Sequence, residues 1–298
     1  MAKILSGKEL SKQIKEELAE RIALLKNSYN RAPGLAVIIV GENPASMSYV
    51  RSKRKVSHQL GIRSFDYNLP ETVSESALLE IIDQLNGDPA VDGILVQLPL
   101  PDHIDDNKVL LKISPEKDVD GFHPVSLGRM LIGLDTFFPC TPYGIVQIIS
   151  RSGIETTGKH VCIVGRSNIV GKPLANLLIR KEVWGNATVT VCHSRTVDIE
   201  KHIHAADIVV AAIGKAEFVT GDMIREGAVV IDVGINRVED PSRERGYRLV
   251  GDVDFASASE KASAITPVPG GVGPMTITML MYNTVLSAER TLTGRKGE

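Results

Sequence analysis

The sequence is poor in cysteine, and its three cysteines lie far apart. Cys140, Cys162 and Cys192 are odd in number and form no Cys-x-x-Cys pair, so they outline no disulfide framework. We expect free thiols in a reducing, cytoplasmic setting. The seven histidines show no His-Glu-x-x-His or similar spacing, so the sequence assigns no metal site.

Long apolar runs and an excess of one charge are also missing. No apolar stretch approaches the ~20 residues that a membrane-crossing helix needs, and residues 1–7 turn polar too soon for a signal peptide. The formal net charge is −2, which gives no global reason to bind nucleic acid or an anionic membrane. The 298 residues are 43% apolar, which is enough for two domain cores.

Strand and helix patterns alternate along most of the chain. This alternation is typical of parallel sheets covered by helices. We predict an α/β protein with two α/β domains flanking a cleft, the second a Rossmann-like doubly wound parallel sheet. Helices are predicted at 6–26, 44–60, after a capping box at 72–75, at 141–149 and at 275–290, and strands at 34–40, 62–69, 93–98, 161–164, 187–192, 208–213 and 229–233.

An apolar strand, a turn of small residues and a helix follow one another at 161–173. A turn without bulky side chains lets a pyrophosphate approach the N–H groups at the start of a helix. Gly165 and Gly171 suit such a turn, but Ser167 replaces the middle glycine of the usual fingerprint and the last glycine comes one residue late. Glycine needed only for packing is therefore the alternative interpretation.

The residues after the next strand indicate which dinucleotide would bind. NAD-binding folds place an acidic residue there to bind the ribose hydroxyls, and that acid would repel the 2′-phosphate of NADP. Here the strand is followed by Ser194 and Arg195 and by no acid, and Arg166 adds a second cation. The sequence therefore predicts NADP as the cofactor. The alternative for Arg195 is a solvated surface charge.

One helix carries a lysine on an otherwise apolar face. In the helix predicted at 44–60, Lys53 shares a face with Tyr49, Val50 and Val56. A lysine there either extends to solvent or is partly desolvated, and a desolvated amine suits proton transfer. Tyr49 lies one turn earlier, so its ring and the ammonium can serve one ligand. The alternative is the ordinary boundary of an amphipathic helix.

Three loops add polar groups. Gln97 stands at the carboxyl end of a predicted parallel strand, where ligands of α/β sheets bind. Asp118 and Asp120 place two carboxylates in one loop, and a carboxylate can accept two N–H bonds from an aminopyrimidine edge. The alternative for Asp120 is an ordinary Asp-Gly turn. The glycine- and proline-rich residues 267–276 predict a shaped loop whose N–H groups hold a ligand.

Taken together, these segments resemble one protein family. The chain is similar over essentially its whole length to the bifunctional methylenetetrahydrofolate dehydrogenase/methenyltetrahydrofolate cyclohydrolase family. The resemblance implies that NADP⁺ takes a hydride from 5,10-methylenetetrahydrofolate, and that water then adds to the methenyl cation to give 10-formyltetrahydrofolate. The segments that carry it are Tyr49-Val-Arg-Ser-Lys53, Val96-Gln97-Leu98-Pro99, Pro115-Glu-Lys-Asp-Val-Asp-Gly121, Gly165-Arg-Ser-Asn-Ile-Val-Gly171-Lys-Pro173 and Pro267-Val-Pro-Gly-Gly-Val-Gly-Pro-Met-Thr276.

The resemblance also implies roles for single residues. Lys53 would be the general acid/base of the cyclohydrolase step, with Gln97 hydrogen-bonded to it. Asp120 would hold the amino edge of the pterin and Tyr49 would pack on its ring, with Ser46 as their neighbour. The folate pocket would include Val96, Leu98, Gly271, Val272, Gly273 and Pro274, and the cofactor site Gly165, Arg166, Ser167, Ser194, Arg195 and, near the nicotinamide, Ile235.

The alternation of strands and helices breaks over the loop-rich residues 114–139, which predicts a domain boundary near Gly121, and the resemblance implies the partners. We expect a folate-binding catalytic domain at 1–121, an NADP-binding domain at 122–272 and a C-terminal helix at 273–298 that returns to the catalytic domain. The expected partners are one-carbon derivatives of tetrahydrofolate and a second copy of the chain in a homodimer. Two alternatives are an NADP-dependent dehydrogenase of the shikimate or amino-acid type and a catalytically silent, NADP-sensing binding protein.

Overall fold

The computed structural model describes residues 1–243 and 246–294, and the chain forms two compact units. Unit 1 contains residues 1–12 and 141–276, and unit 2 contains residues 13–140 and the chain from Ile277 onward. The units therefore change at residue 140 rather than near Gly121, and residues 1–12 belong to unit 1. Of the segment expected at 273–298, residues 295–298 lie outside the described residues.

The described elements are numbered in chain order. The helices are α1 (Gly7–Tyr29), α2 (Pro44–Leu60), α3 (Glu75–Gly87), α4 (Asp106–Lys112), α5 (Pro124–Leu131), α6 (Cys140–Arg151), α7 (Gly171–Leu178), α8 (Ile199–His204), α9 (Phe255–Lys261) and α10 (Val272–Thr293). The strands are β1 (Lys3–Ile4), β2 (Gly34–Val40), β3 (Arg63–Leu69), β4 (Gly93–Val96), β5 (His160–Val164), β6 (Thr188–Cys192), β7 (Ile208–Ala211), β8 (Val229–Asp232), β9 (Asn236–Glu239), β10 (Tyr247–Val250) and β11 (Ala264–Ile265).

Unit 2 is built on a three-stranded parallel sheet in the order β3-β2-β4. Every residue of the central strand β2 is buried, which explains its continuous apolar sequence. Helix α2 begins and ends as predicted, because the Asn43 side chain accepts a bond from Ser46 N and Gly61 adopts a positive φ of 71°. The predicted capping box at 72–75 is wrong, since Ser74 caps α3 by accepting from Ala77 N.

Unit 1 is built on a six-stranded sheet whose neighbours are all parallel, in the order β1-β11-β8-β7-β5-β6. From β5 the chain goes first to β6 on one side and then to β7 on the other. The order of strands reverses at β5, and ligands of such sheets bind beyond the carboxyl ends of the strands at this point. The predicted doubly wound parallel sheet is thus confirmed.

Several elements differ from the sequence prediction. Strand β4 ends at Val96 and β7 at Ala211, two residues before the predicted ends. The loop-rich stretch 114–139 contains α5, and the antiparallel hairpin β9–β10 was not predicted. Within the described ranges, no helix combines the length and the apolarity that crossing a bilayer would require.

Candidate functional site

Lys53 lies on the buried face of α2, where only 8% of the residue is exposed. The buried stripe around it differs from the predicted one, because Ser46, Val50 and Ser57 are buried while Val56 is only half-buried. Tyr49 is 44% exposed. The stripe is therefore partly polar. The Lys53 side chain is buried, whereas the Tyr49 ring is exposed and available to a ligand.

Gln97 binds Lys53 directly. The Lys53 Nζ donates to Gln97 Oε1 over 3.0 Å, and the Gln97 Nε2 donates to the carbonyl of Leu98 over 2.8 Å. The backbone N–H of Gln97 donates to Ile38 O and so extends the pairing of β4 with β2. Since the amide nitrogen is held by Leu98, the amide oxygen is the atom that faces the ammonium.

Asp118 and Asp120, two residues apart, have different surroundings. Asp118 is buried, and burial raises the pKa of its carboxyl group to about 7. Both oxygens of the carboxylate accept hydrogen bonds from residues that follow it closely in the chain, so no acceptor position is left for a ligand. Its oxygens accept bonds from Gly121 N, Phe122 N, His123 N and Ser126 Oγ at 2.8–3.3 Å.

Asp120 is the carboxylate that interacts with the lysine. Burial raises the pKa of Asp120, while the positive charge of Lys53 and a hydrogen bond with Cys140 oppose that increase. Burial and the nearby Asp120 charge raise the pKa of the Cys140 thiol well above its usual value, which keeps it protonated as a donor. Lys53, Gln97 and Asp120, which are far apart in sequence, thus form one group in unit 2.

Asp120-Gly121 also forms a turn. Gly121 has a φ of 79°, and a Cβ there would lie 2.6 Å from the Phe138 carbonyl carbon and the Pro139 nitrogen. Only glycine fits this crossing of two chain segments. Asp120 therefore belongs both to this turn and to the charged group with Lys53.

In unit 1 the turn after β5 lies at the switch point of the sheet. A Cβ on Gly165 would collide with the Ala212 carbonyl oxygen, and a Cβ on Gly171 with the Gly165 carbonyl oxygen. The late position of the last glycine is therefore set by its packing on the first. Ser167 Oγ accepts from Val170 N over 3.1 Å, and the side chains of Arg166 and Ser167 are exposed.

Ser194 and Arg195 follow β6 and are both exposed. The Arg195 backbone N–H donates to His193 Nδ1 over 3.1 Å, which shapes the loop. Ile235 follows β8, is 48% exposed, and its Cδ1 would lie 3.6 Å from a Cβ on Gly273.

Two buried aspartates that the sequence analysis did not single out lie at the carboxyl ends of the strands in the sheet of unit 1. Asp252 accepts from Ile213 N, Gly214 N and the Asn236 side chain at 2.7–2.8 Å. Asp232 accepts from Asp252 N over 2.8 Å, and burial raises its pKa to about 7. No local sequence signal separates these aspartates from ordinary turn residues.

Residues 267–276 were predicted as a loop before a helix starting at 275, and part of this prediction is wrong. Helix α10 begins at Val272, so Val272, Gly273 and Pro274 form its first turn. Gly271 lies directly before the helix, and a Cβ on Gly7 would collide with its carbonyl oxygen. The peptide bond between Val268 and Pro269 is cis. This segment belongs to unit 1, whereas Lys53, Gln97 and Asp120 belong to unit 2.

A dinucleotide-type turn at the switch point of a parallel sheet is typical of nicotinamide-dependent dehydrogenases. The other unit adds a lysine–glutamine–aspartate group suited to proton transfer. Two family models match the chain. The catalytic domain of tetrahydrofolate dehydrogenase/cyclohydrolase matches residues 5–120, and its NAD(P)-binding domain matches residues 139–292. The chain belongs to this family. The predicted resemblance and the predicted enzyme class are confirmed, and the family assignment excludes the shikimate-type alternative.

Individual proteins with similar sequences and structures agree with this assignment. The bifunctional protein FolD of Chloroherpeton thalassium is 59% identical over 97% of this chain and 99% of that relative. The crystal structure of FolD from Campylobacter jejuni has a TM-score of 0.91 and 48% identity, covering 97% and 99% of the two chains. The Trypanosoma brucei enzyme, described as complexed with NADP cofactor and inhibitor, has a TM-score of 0.92 and 45% identity, covering 99% of each chain.

Proposed function

We infer that the protein oxidises 5,10-methylenetetrahydrofolate with NADP⁺ and hydrolyses the resulting 5,10-methenyltetrahydrofolate to 10-formyltetrahydrofolate. The observation that carries this inference is the group formed by Lys53, Gln97 and Asp120 in unit 2. It combines a proton-transfer group, an acceptor that orients it and a carboxylate suited to an aminopyrimidine.

The residues of unit 1 fit NADP. The close packing of Gly165 and Gly171 keeps the turn after β5 free of side chains that would block a pyrophosphate. The exposed Arg166, Ser194 and Arg195 would hold the 2′-phosphate, with Ser167 beside the turn. Ile235 would offer its backbone near the nicotinamide. When bound, NADP⁺ supplies the hydride acceptor of the first reaction, and the protein has only to align the two rings.

The residues of unit 2 would bind the folate substrate. The Asp120 carboxylate accepts N–H bonds from the amino edge of the pterin, and the exposed ring of Tyr49 packs on the pterin face. Val96 and Leu98 flank Gln97 and contribute apolar surface, and Ser46 lies one turn before Val50 on α2. The resemblance also implies that Gly271 and residues 272–274, the first turn of α10, contact the folate.

Lys53 would move protons in the hydrolysis. Water adds to the methenyl carbon, and Lys53 takes the proton that the water loses. The hydroxyl on this carbon then becomes a carbonyl while the bond between the carbon and N5 breaks. N5 receives the proton held by Lys53, and the hydroxyl proton is the one released to solvent. The hydrogen bond to Gln97 directs the Lys53 amine throughout.

One spectroscopic experiment tests this function. Purified protein is mixed with 5,10-methylenetetrahydrofolate and NADP⁺, and the absorbance of the methenyl product is followed over time. We expect the absorbance to rise and then decay faster than in a protein-free mixture of methenyltetrahydrofolate. A dehydrogenase without cyclohydrolase activity would show the rise alone, and a silent NADP-binding protein would show neither.

We further propose that the enzyme acts as a homodimer in the cytoplasm. The family resemblance supports the dimer, and three free, buried cysteines suit a reducing compartment. Light scattering during gel filtration tests the assembly, and a mass near 32 kDa would contradict it, because one chain has a mass of 32.3 kDa.

A further inference from the structure

The C-terminal helix α10 carries an amide on a face that is buried in unit 2. Only 1% of Asn283 is exposed, and it lies between apolar residues such as Met281 and Val285. A buried amide is costly unless its donors are satisfied, so an amide at this place needs partners. Thr284, the next residue on α10, is also buried, but its hydroxyl donates to Leu280 O within the helix, so it needs no partner from another segment.

The partners of Asn283 are two backbone carbonyls from different segments. Its Nδ2 donates to Val119 O over 2.8 Å and to Phe138 O over 3.0 Å, and it lies 3.8 Å from Cys140 Sγ. Val119 immediately precedes Asp120. The two N–H bonds of one amide group therefore join the loop of Asp120 to the segment that leads into Cys140.

These two segments cross each other closely. Cys140 N donates to Asp120 O over 3.3 Å, and its Sγ lies 3.4 Å from Val119 O. The thiol is also near enough to the Asp120 carboxylate to lower the pKa of that group, against the increase that burial causes. The position of this carboxylate thus depends on how the two segments cross. Asn283 is a buried side chain that binds both segments at this crossing.

The same helix touches α2 one turn away from Lys53. Ser57 Oγ lies 3.2 Å from the sulfur of Met281 and donates to the carbonyl of Lys53 over 3.0 Å. Met281 and Asn283 are two residues apart on α10, so one stretch of helix contacts both the helix of Lys53 and the loop of Asp120.

We propose that Asn283 is a positioning residue that sets the Asp120 carboxylate for the folate substrate, opposite Lys53. This proposal rests on the role given to Asp120 under the proposed function. Asn283 does not touch the substrate. Its amide acts through the Val119 and Phe138 carbonyls, and its loss would misplace the carboxylate rather than remove it.

The test compares Asn283→Leu with Thr284→Val. Leucine has about the size of asparagine and lacks both donors. Thr284 is the adjacent buried residue, and its hydroxyl donates to Leu280 O within the same helix, which makes it a matched control. We expect Asn283→Leu to raise the KM for methenyltetrahydrofolate about ten- to a hundredfold and to leave the KM for NADP⁺ unchanged. Thr284→Val should change both KM values less than about twofold.

A double-variant comparison separates positioning from a general loss of structure. If Asn283 acts through Asp120, Asn283→Leu should have little further effect on folate KM in an Asp120→Ala background. The proposal would be overturned if the two substitutions raised the folate KM independently, so that their fold-changes multiply. A normal folate KM in Asn283→Leu would also overturn it. If Asp120→Ala alone leaves folate binding unchanged, the role of Asp120 fails, and that of Asn283 fails with it.

Circular dichroism and thermal unfolding establish that each variant is folded at the assay temperature. If Asn283→Leu does not fold, Asn283→Ser replaces it, because a hydroxyl keeps one donor in a smaller side chain. This variant should give a smaller rise in folate KM with the same dependence on Asp120. A rise that persists undiminished in the Asp120→Ala background would overturn the proposal.

Discussion

The ammonium of Lys53 lies 3.0 Å from the amide oxygen of Gln97, and the amide nitrogen of Gln97 is itself held by the Leu98 carbonyl. This second bond prevents the amide from turning its nitrogen toward the lysine. Lys53 therefore always meets an acceptor, and one of its three N–H bonds has a set direction. The remaining donors are left for a substrate or water.

Replacing Lys53 by methionine should separate the two reactions. Methionine keeps the length and apolar stem of the side chain but cannot transfer a proton. We expect cyclohydrolase activity to fall about a hundred- to ten-thousandfold, whereas dehydrogenase activity stays measurable, because hydride transfer needs no acid or base from the protein. The two steps are measured separately, the second starting from methenyltetrahydrofolate.

The matched control for this variant is Lys55→Met. Lys55 lies on the same helix with its side chain exposed, so its replacement should leave both activities unchanged. Hydrolysis of methenyltetrahydrofolate at the normal rate by Lys53→Met would exclude Lys53 from the mechanism and leave it as a boundary lysine of an amphipathic helix.

Asp120→Ala should weaken folate binding and reduce both activities together. A charged hydrogen bond lost from a covered site costs about 2–3 kcal/mol, or roughly thirty- to two-hundredfold in affinity. The measurement is the folate KM in each assay, with Glu80→Ala on the exposed face of α3 as the control. An unchanged folate KM would show that Asp120 serves only the turn with Gly121.

Loss of either exposed arginine near the dinucleotide turn should affect NADP⁺ more than NAD⁺. Arg166→Ala and Arg195→Ala each remove a cation that would face the 2′-phosphate, a group that NAD⁺ lacks. We expect the KM for NADP⁺ to rise by roughly tenfold and that for NAD⁺ to change little. Lys181→Ala, an exposed cation after α7, is the control. Equal use of both cofactors by the unmodified protein would contradict the preference.

Gly171→Ala should damage cofactor binding through the backbone. The new Cβ collides with the Gly165 carbonyl oxygen, and backbone cannot move aside as a side chain can. We expect a raised KM for NADP⁺ and NAD⁺ alike, since both share the pyrophosphate. Gly87→Ala is the control, because a Cβ at that helical position meets nothing within 4 Å. Normal KM values in Gly171→Ala would show that the turn tolerates the shift.

The buried Asp118 should make stability depend on pH. Burial raises its pKa to about 7 in the folded chain, above about 3.9 in an unfolded one. Between these values the folded state holds the extra proton, so the free energy of unfolding falls as pH rises, by at most about 1.4 kcal/mol per unit, and levels off above about pH 7. Below about pH 4 both states are protonated and the contribution is constant.

Urea unfolding from about pH 5 to 8 checks this dependence in the protein and in Asp118→Asn. The amide cannot titrate, so the difference in unfolding free energy between the two proteins should shrink as pH rises. The variant should also be less stable overall, because asparagine offers one acceptor oxygen to the four donors that Asp118 satisfies. A difference independent of pH would exclude Asp118 as the titrating group.

The local elements could be predicted where local physical rules decide them. Strand β2 and helix α2 have their predicted bounds, because an unbroken apolar run specifies a buried strand and because Asn43 and Gly61 satisfy the two ends of the helix. Strand β11 and the short β1 were not predicted, since strands of two residues carry no periodicity and exist only through pairing with their neighbours.

The sequence predicts which side chains, an amine, an amide and a carboxylate, the candidate site contains. It does so because Lys53, Gln97 and Asp120 lie on a face, at an end or in a loop of the predicted elements. The resemblance assigned Asp120 rather than Asp118 to the ligand, but the physical reason for this difference lies in the fold. Asp118 meets three backbone N–H groups and a hydroxyl, whereas Asp120 meets Lys53 and Cys140. Spacing of two residues cannot separate these environments, because the donors come from the path of the loop and from residues distant in sequence.

The sequence by itself thus determined the alternation of strands and helices, the glycine turn and the set of reactive side chains, because periodicity, backbone freedom and side-chain chemistry are local properties. Only the tertiary structure decided that Gly171 packs on Gly165, that Asn283 joins the Val119 and Phe138 carbonyls, and that the Lys53 charge acts on Asp120. Each of these depends on distances between residues far apart in the chain, and such distances are set by packing and by the satisfaction of buried polar groups.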